Sequence, residues 1–232
     1  MSVKITFDIP KSLDAIKLKD YQKYMKVVEA NKEEGDSELI NLKALEYFCG
    51  LTLKEAYNLK MTHFNFVLSH LSEVFKEDTP LVPKFDMVDP NGNKLTFGFI
   101  PKLDDISMGE FVDLDTYLGD WENMHRAMAV LYRPVTTDIN NKYLIEPYEN
   151  SSKYCTVMED MPVNVAIGAM VFFYRLGNVL STHILDSLQK ELQNGAISQL
   201  RQTLEKSGVG ISQFTQSLRE MRQNLKKLRH FH

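Results

Sequence analysis

Apolar and polar positions follow two rhythms along this chain. Lys4-Ile5-Thr6-Phe7 and Lys94-Leu95-Thr96-Phe97 change side at every residue, the period of a half-buried strand. Elsewhere apolar residues recur every three or four positions, as on a helix facing a core. That spacing predicts a helix over residues 17–33, a polar break at Asn31–Ser37, and a second helix from Ser37, its N-cap, to Cys49, stopped by Gly50. Thr52 caps a short helix. In the next one Met61, Phe64, Val67, Leu68, Leu71, Val74 and Phe75 form one apolar face, predicted to be core. After a linker at residues 78–83, two alternating segments flank Asp89-Pro90-Asn91-Gly92, and the Asn-Gly pair suits the positive φ angles of a tight hairpin turn. A second round of helices is expected over residues 107–119 and 120–135. Residues 136–152 read as loop with a short strand at Lys142–Glu146, and a long apolar helix covers 161–192, with Pro162 in its first turn.

The two rounds share a phrase. With Ser12 unmatched, Ile9, Pro10, Lys11, Leu13, Asp14 and Ile16 align with Ile100, Pro101, Lys102, Leu103, Asp104 and Ile106. Leu18, Asp20 and Tyr21 align with the similar Met108, Glu110 and Phe111. Each copy reads as strand, Ile-Pro-Lys turn, then amphipathic helix, because a proline lacks the N–H that would continue a strand ladder. The expected fold class is α+β and mostly helical. It is a pseudo-duplicated strand-helix-helix-helix module whose strands join into one small antiparallel sheet, followed by C-terminal heptad-patterned helices. The boundaries are 1–80 for the first repeat, 81–192 for the second, sharing one core with the first, and 193–232 for an extension without counterpart.

In that extension Ile197, Leu200 and Leu204, then Ile211, Phe214, Leu218, Met221, Leu225 and Leu228, fall in heptad positions. The seam Ile211, Phe214, Leu218, Met221, Leu225 and Leu228 has to pack on something, and its own domain, further copies of the chain or a different protein would each serve. Arg219, Arg222, Lys226, Lys227 and Arg229 accompany it with Glu220 as the one acid among them. Residues 175–232 carry nine Lys/Arg against four Asp/Glu, so a net charge of −4 conceals a basic end on an acidic body. Such a cluster can neutralise DNA phosphates, and it can equally face the negative end of a helix dipole or keep an apolar seam in solution.

At 232 residues, 44% hydrophobic and 25% charged, the chain can bury a sizeable core. Cys49 and Cys155 are too few and too far apart for a disulfide framework or a metal-ligand spacing, and are expected as buried free thiols in a reducing compartment. Met1 leads almost directly into the first strand, with no export signal. The apolar run 161–180 is interrupted by Asn164 and ended by Arg175, short of the roughly 18 residues a membrane span needs, so no membrane partner is expected. Catalytic chemistry has no pattern here. His63 and His70 are two turns apart, His125 stands alone near Trp121 and Arg126, and His230 and His232 end the chain. Asp113, Asp115 and Asp120 lack the ligand order and central glycine of an EF-hand, and no phosphate-cradling glycine motif occurs. No catalytic residue, metal or cofactor is predicted.

Three stretches carry a resemblance: residues 5–27, ITFDIPKSLDAIKLKDYQKYMKV; residues 40–59, with INLKALEYFCGLT leading into LKEAYNL; and residues 122–135, ENMHRAMAVLYRPV. Together they resemble small proteins encoded among the virion and tail-morphogenesis genes of tailed phages of Bacteroidetes, crAss-like phages included, over residues 3–185. The resemblance implies a non-enzymatic structural or morphogenesis protein that binds other phage virion proteins, or copies of itself, at the portal, neck or tail. A tail assembly chaperone absent from the mature particle is one alternative. A virion-carried protein contacting DNA through the basic C-terminal helix is another. The implied location is the virion, or the bacterial host cytoplasm during assembly.

Overall fold

A computed structural model describes residues 6–31, 37–89, 92–140 and 142–176. The chain divides into one compact unit ending at Ala169 and a second beginning at Met170, and all the named elements below, except the end of the last helix, belong to the first. That unit is α+β and mostly helical, with one small antiparallel sheet.

Helix α1 (Leu18–Ala30) buries Leu18, Met25 and Val28, positions spaced to share one face, and Asn31 closes it by turning its side-chain amide onto the Val27 carbonyl at 2.7 Å. Helix α2 (Ser37–Cys49) buries Ala44, Leu45, Phe48 and Cys49 and stops where Gly50 takes φ +69, a conformation that costs a glycine least. Thr52 begins α3 (Leu53–Tyr57) with a capping box: its hydroxyl accepts from Glu55 N–H while the Glu55 carboxylate accepts from Thr52 N–H. Helix α4 (Met61–Val74) buries Val67, Leu71 and Val74. Met61, expected on that core face, is 70% exposed, because the helix meets its neighbours only from its second turn onward.

The repeated phrase does recur as backbone. Leu13–Ala15 and Leu103–Asp105 are both single 3-10 turns, each closed by the isoleucine N–H that follows, from Ile16 to the Leu13 carbonyl and from Ile106 to the Leu103 carbonyl. Each turn leads into a helix, α1 in the first copy and α5 (Met108–Tyr117) in the second. Their surroundings differ. Leu18 is fully buried, whereas its counterpart Met108 is 75% exposed. In the first copy main-chain bonds dock the segment on a distant part of the chain: Leu18 N–H to Met161 O, Lys19 N–H to Glu159 O and Val163 N–H to Ile16 O, all at 2.8 Å. Lys17 and Lys19 both reach Asp160 at 2.8 Å beside them.

Among the described residues the sheet departs from the expectation that both copies contribute strands. Its order is β1-β2-β3-β4, an antiparallel meander of β1 (Lys84–Val88), β2 (Lys94–Phe99), β3 (Tyr132–Ile139) and β4 (Lys142–Ile145), all from the second half of the unit. Thr6 and Phe7 are not in a strand, and Lys4 and Ile5 lie outside the described residues. The β1–β2 hairpin agrees with the alternation; Gly92 takes φ +85, and Asp89 holds the turn through its main chain and carboxylate. Residues 132–139, expected as the end of a helix and a loop, form β3 instead. Pro134 disfavours helix at Arg133, and Val135-Thr136-Thr137 are β-branched.

Phe85, Met87, Leu95, Phe97, Phe99, Tyr132 and Pro134 share one sheet face by register. Edge-on ring contacts of Tyr132 with Phe85 and Phe99, at 5.1 and 5.3 Å, bind three strands together there. The central helix α6 (Met124–Leu131) follows the 3-10 turn Trp121–Asn123 and buries Met124 and every residue from Ala127 to Leu131. A 3-10 turn at Ser151–Lys153 and the short α7 (Cys155–Met158) precede the last helix, α8, described over residues 163–176. Gly168 is required in α8, since a Cβ there would overlap the Pro80 carbonyl oxygen.

Candidate functional site

The seam residues Ile211, Phe214, Leu218, Met221, Leu225 and Leu228 and the cations Arg219, Arg222, Lys226, Lys227 and Arg229 lie outside the described residues, as do His230 and His232. Within the described unit, three places concentrate chemistry.

The first is a buried polar cluster between α5 and the sheet. Ser107 opens α5 with a second capping box, and the Glu110 carboxylate accepts from Ser107 N–H at 2.7 Å with one oxygen. Its other oxygen accepts from Arg133 on β3 at 2.5 Å, and both side chains are more than nine-tenths buried. The guanidinium also lies over the Tyr148 ring at 5.5 Å, and the Tyr148 hydroxyl donates to the Asp113 carboxylate. Burial first, and Asp113 second, push the Tyr148 phenol well above its ordinary range, so it stays a donor. Every acid here is already engaged by a donor of the chain itself. The arrangement joins α5, β3 and the segment leading to α7, and Arg133 Nε is buried within it without a partner among the described residues. Ser107-x-x-Glu110 is a capping-box pattern visible in the sequence, and only its long-range partner Arg133 could not be foreseen.

The second place is the junction of α1 with Trp121–Leu131. Tyr21, Tyr24, Phe48, Phe75 and Trp121 form an aromatic cluster in which Tyr21 meets Trp121 edge-on at 4.7 Å. Gln22 reaches across to the Trp121 and Glu122 carbonyls and to His125 Nδ1, and Lys26 pairs with Glu122 at 2.7 Å. Burial lowers the His125 pKa, against the opposing pull of Glu159 and Asp120 and with the help of Arg126. Trp121 Nε1 is buried without a partner among the described residues.

The remaining residues considered from sequence do not converge. His63 is exposed, and His70 is bonded to the Pro10 carbonyl at 3.0 Å. Asp113 serves Tyr148, while Asp120 caps the Trp121–Asn123 turn through Glu122 N–H and the Asn123 amide. No group of His, Cys, Asp or Glu suited to a metal ion occurs among the described residues. Cys49 is buried as expected, and burial pushes its thiol up to about 11. Cys155 departs from expectation: it is only half-buried, its thiol donating to the Ser152 carbonyl. No helix among the described residues is long and apolar enough to cross a membrane.

The third place is a surface. Leu53 and Tyr57 on α3 and Met61 and Phe66 on α4 are all exposed, Tyr57 at 73% and Phe66 at 65%, in two consecutive helices. Met108 and Val112 are exposed on α5, one turn apart. Farther along α4 Val67, Leu71 and Val74 are buried while Phe64, Leu68 and Phe75, expected on the same core face, are half-buried.

Comparison of the chain with family models, with curated proteins and with solved structures finds no match.

Proposed function

We propose that this chain is a non-enzymatic morphogenesis or virion protein of tailed phages, which works by burying apolar surface against other virion proteins at the portal, neck or tail. The observation that carries this reading in the folded unit is the run of large apolar side chains left in water on α3 and α4: Leu53, Tyr57, Met61 and Phe66. Single exposed apolar residues are ordinary, but four within two consecutive helices are a feature of surfaces that meet a partner. The sequence resemblance of residues 3–185 supplies the class of partner, and the basic heptad segment supplies a second adhesive element on the same chain.

The test uses full-length protein with Tyr57, Met61 and Phe66 changed to Ser, and separately with Leu218 and Leu225 changed to Asp. Mass by light scattering and retention of co-expressed virion proteins are the readouts. Loss of self-association or of partner retention, with the circular-dichroism spectrum unchanged, supports the reading; unchanged mass and retention in both variants overturn it. Mass spectrometry of purified particles then separates a resident part, which is present, from an assembly chaperone, which is absent.

A further inference from the structure

Gln22 makes an unusual demand on His125. The Gln22 amide nitrogen is 2.7 Å from the Trp121 carbonyl oxygen, 3.1 Å from the Glu122 carbonyl oxygen and 3.1 Å from His125 Nδ1. Two main-chain carbonyls can only accept, so they dictate which way the amide faces; turned over, its oxygen would sit against both of them. The imidazole nitrogen that faces the same NH2 group must therefore present its lone pair. The contact is favourable when His125 is the neutral tautomer with its proton on Nε2.

From this geometry we infer that the Gln22–His125 contact is an acid-sensitive latch, which holds α1 on the Trp121–Leu131 segment while His125 is neutral and releases it when Nδ1 takes a proton. Protonation at Nδ1 sets an N–H against an N–H at 3.1 Å, and Gln22 cannot turn away without also losing the Trp121 and Glu122 carbonyls. The charged groups facing His125 pull in both directions. Glu159, after α7, and Asp120, capping the turn before α6, favour the imidazolium, while Arg126 beside it opposes it. Burial is the largest influence and lowers the His125 pKa, favouring the neutral ring. The nearby Lys26–Glu122 pair is exposed and adds little restraint of its own. When the latch opens, the side chain it uncovers is Trp121, packed edge-on against Tyr21.

Trp121 is the chain's one tryptophan, so its emission reports on this junction alone. In the full-length protein, lowering the pH from 8 to 4 is expected to shift Trp121 emission to the red and increase its quenching by acrylamide. The midpoint should fall below the ordinary histidine value of about 6.5. The transition is expected to vanish in His125→Asn and to persist in His70→Asn. An identical transition in His125→Asn overturns the latch, as does constant emission in the parent protein. Should His125→Asn fail to fold, nitrogen NMR of the parent decides. An Nε2-protonated tautomer at pH 8, titrating below the ordinary histidine value of about 6.5, sustains the inference; an Nδ1-protonated ring, or one titrating at or above that value, sinks it.

Discussion

Replacing Gly98 by Ala tests how tightly β4 is folded over the sheet. A Cβ built on Gly98 would stand 2.6 Å from Tyr143 Cε2, 2.9 Å from Cδ2 and 3.0 Å from Val135 Cγ2. Ordinary contact begins about 1 Å farther out, so the Tyr143 ring would have to move by about that much. It is not free to do so. Its hydroxyl donates to the Phe99 carbonyl at 2.9 Å and lies 3.2 Å from the Pro83 carbonyl, and Lys84 sits over the ring at 5.4 Å while pairing with Asp138. Overpacking costs about 1–3 kcal/mol and a displaced hydrogen bond about 1 kcal/mol. The conformational gain from Gly to Ala in a strand returns roughly 0.5–1 kcal/mol. The net expectation is a loss of about 1–3 kcal/mol, a fall in Tm of roughly 3–10 °C for a unit of this size. Thermal unfolding followed by circular dichroism, combined with a double-mutant cycle, separates strain from propensity. In a Tyr143→Ala background the same Gly98→Ala change should be neutral or slightly stabilising. Equal cost in both backgrounds, or no cost in the parent, would refute the proposed ring-over-glycine contact.

Three further outcomes are expected. Breaking the buried pair with Arg133→Met should cost about 3–5 kcal/mol in urea unfolding, because it leaves the Glu110 carboxylate buried with only its Ser107 N–H partner; the Arg133→Met/Glu110→Leu double variant should cost less than that single change. Lys17 and Lys19 hold the Asp160 pKa below its ordinary value. The stability from this pairing is therefore present above the unfolded carboxylate value of about 3.9 and is lost as pH falls through the folded one. Melting curves from pH 6 to 2 at low salt should converge for the parent and Asp160→Asn at the acid end, and the gap at pH 6 should shrink with added salt. Finally, Cys155 should react with iodoacetamide in the native protein at a rate far above that of Cys49, whose thiol is buried and raised to about 11; mass spectrometry of labelled peptides would show Cys49 labelled only on unfolding.

What could be read in advance was local. The capping residue Thr52, the stop at Gly50, the Asp89–Gly92 hairpin and the α1 and α5 helices each depend on a few neighbouring side chains, and all appear where the chain's periodicity puts them. The repeated phrase likewise produced two matching 3-10 turns. What it could not convey was environment. Leu18 and Met108 hold equivalent places in the two copies, yet one donates its N–H to the Met161 carbonyl and is buried while the other faces solvent, a difference made by residues far along the chain. The β3 strand is hidden for another reason: helical spacing in residues 124–131 runs unbroken into Tyr132, and Pro134 with the β-branched run after it marks the end of a helix without separating strand from loop. Of the sites, Glu110 carried a visible capping pattern, but its partner Arg133 and the meeting of Gln22 with His125 are tertiary facts that no spacing encodes.

The antiparallel bridge between Lys17 and Pro162 sets the order in which this protein can be completed during synthesis. Within this unit the strip Ile16–Lys19 finds its backbone partners, Glu159, Met161 and Val163, only after almost all the intervening elements have been made. Such long sequence separation slows folding. It also brings Lys17 beside Pro162, which makes a circular permutant opened at the Asp89–Gly92 turn a natural way to ask whether this long-range pairing is where misassembly begins.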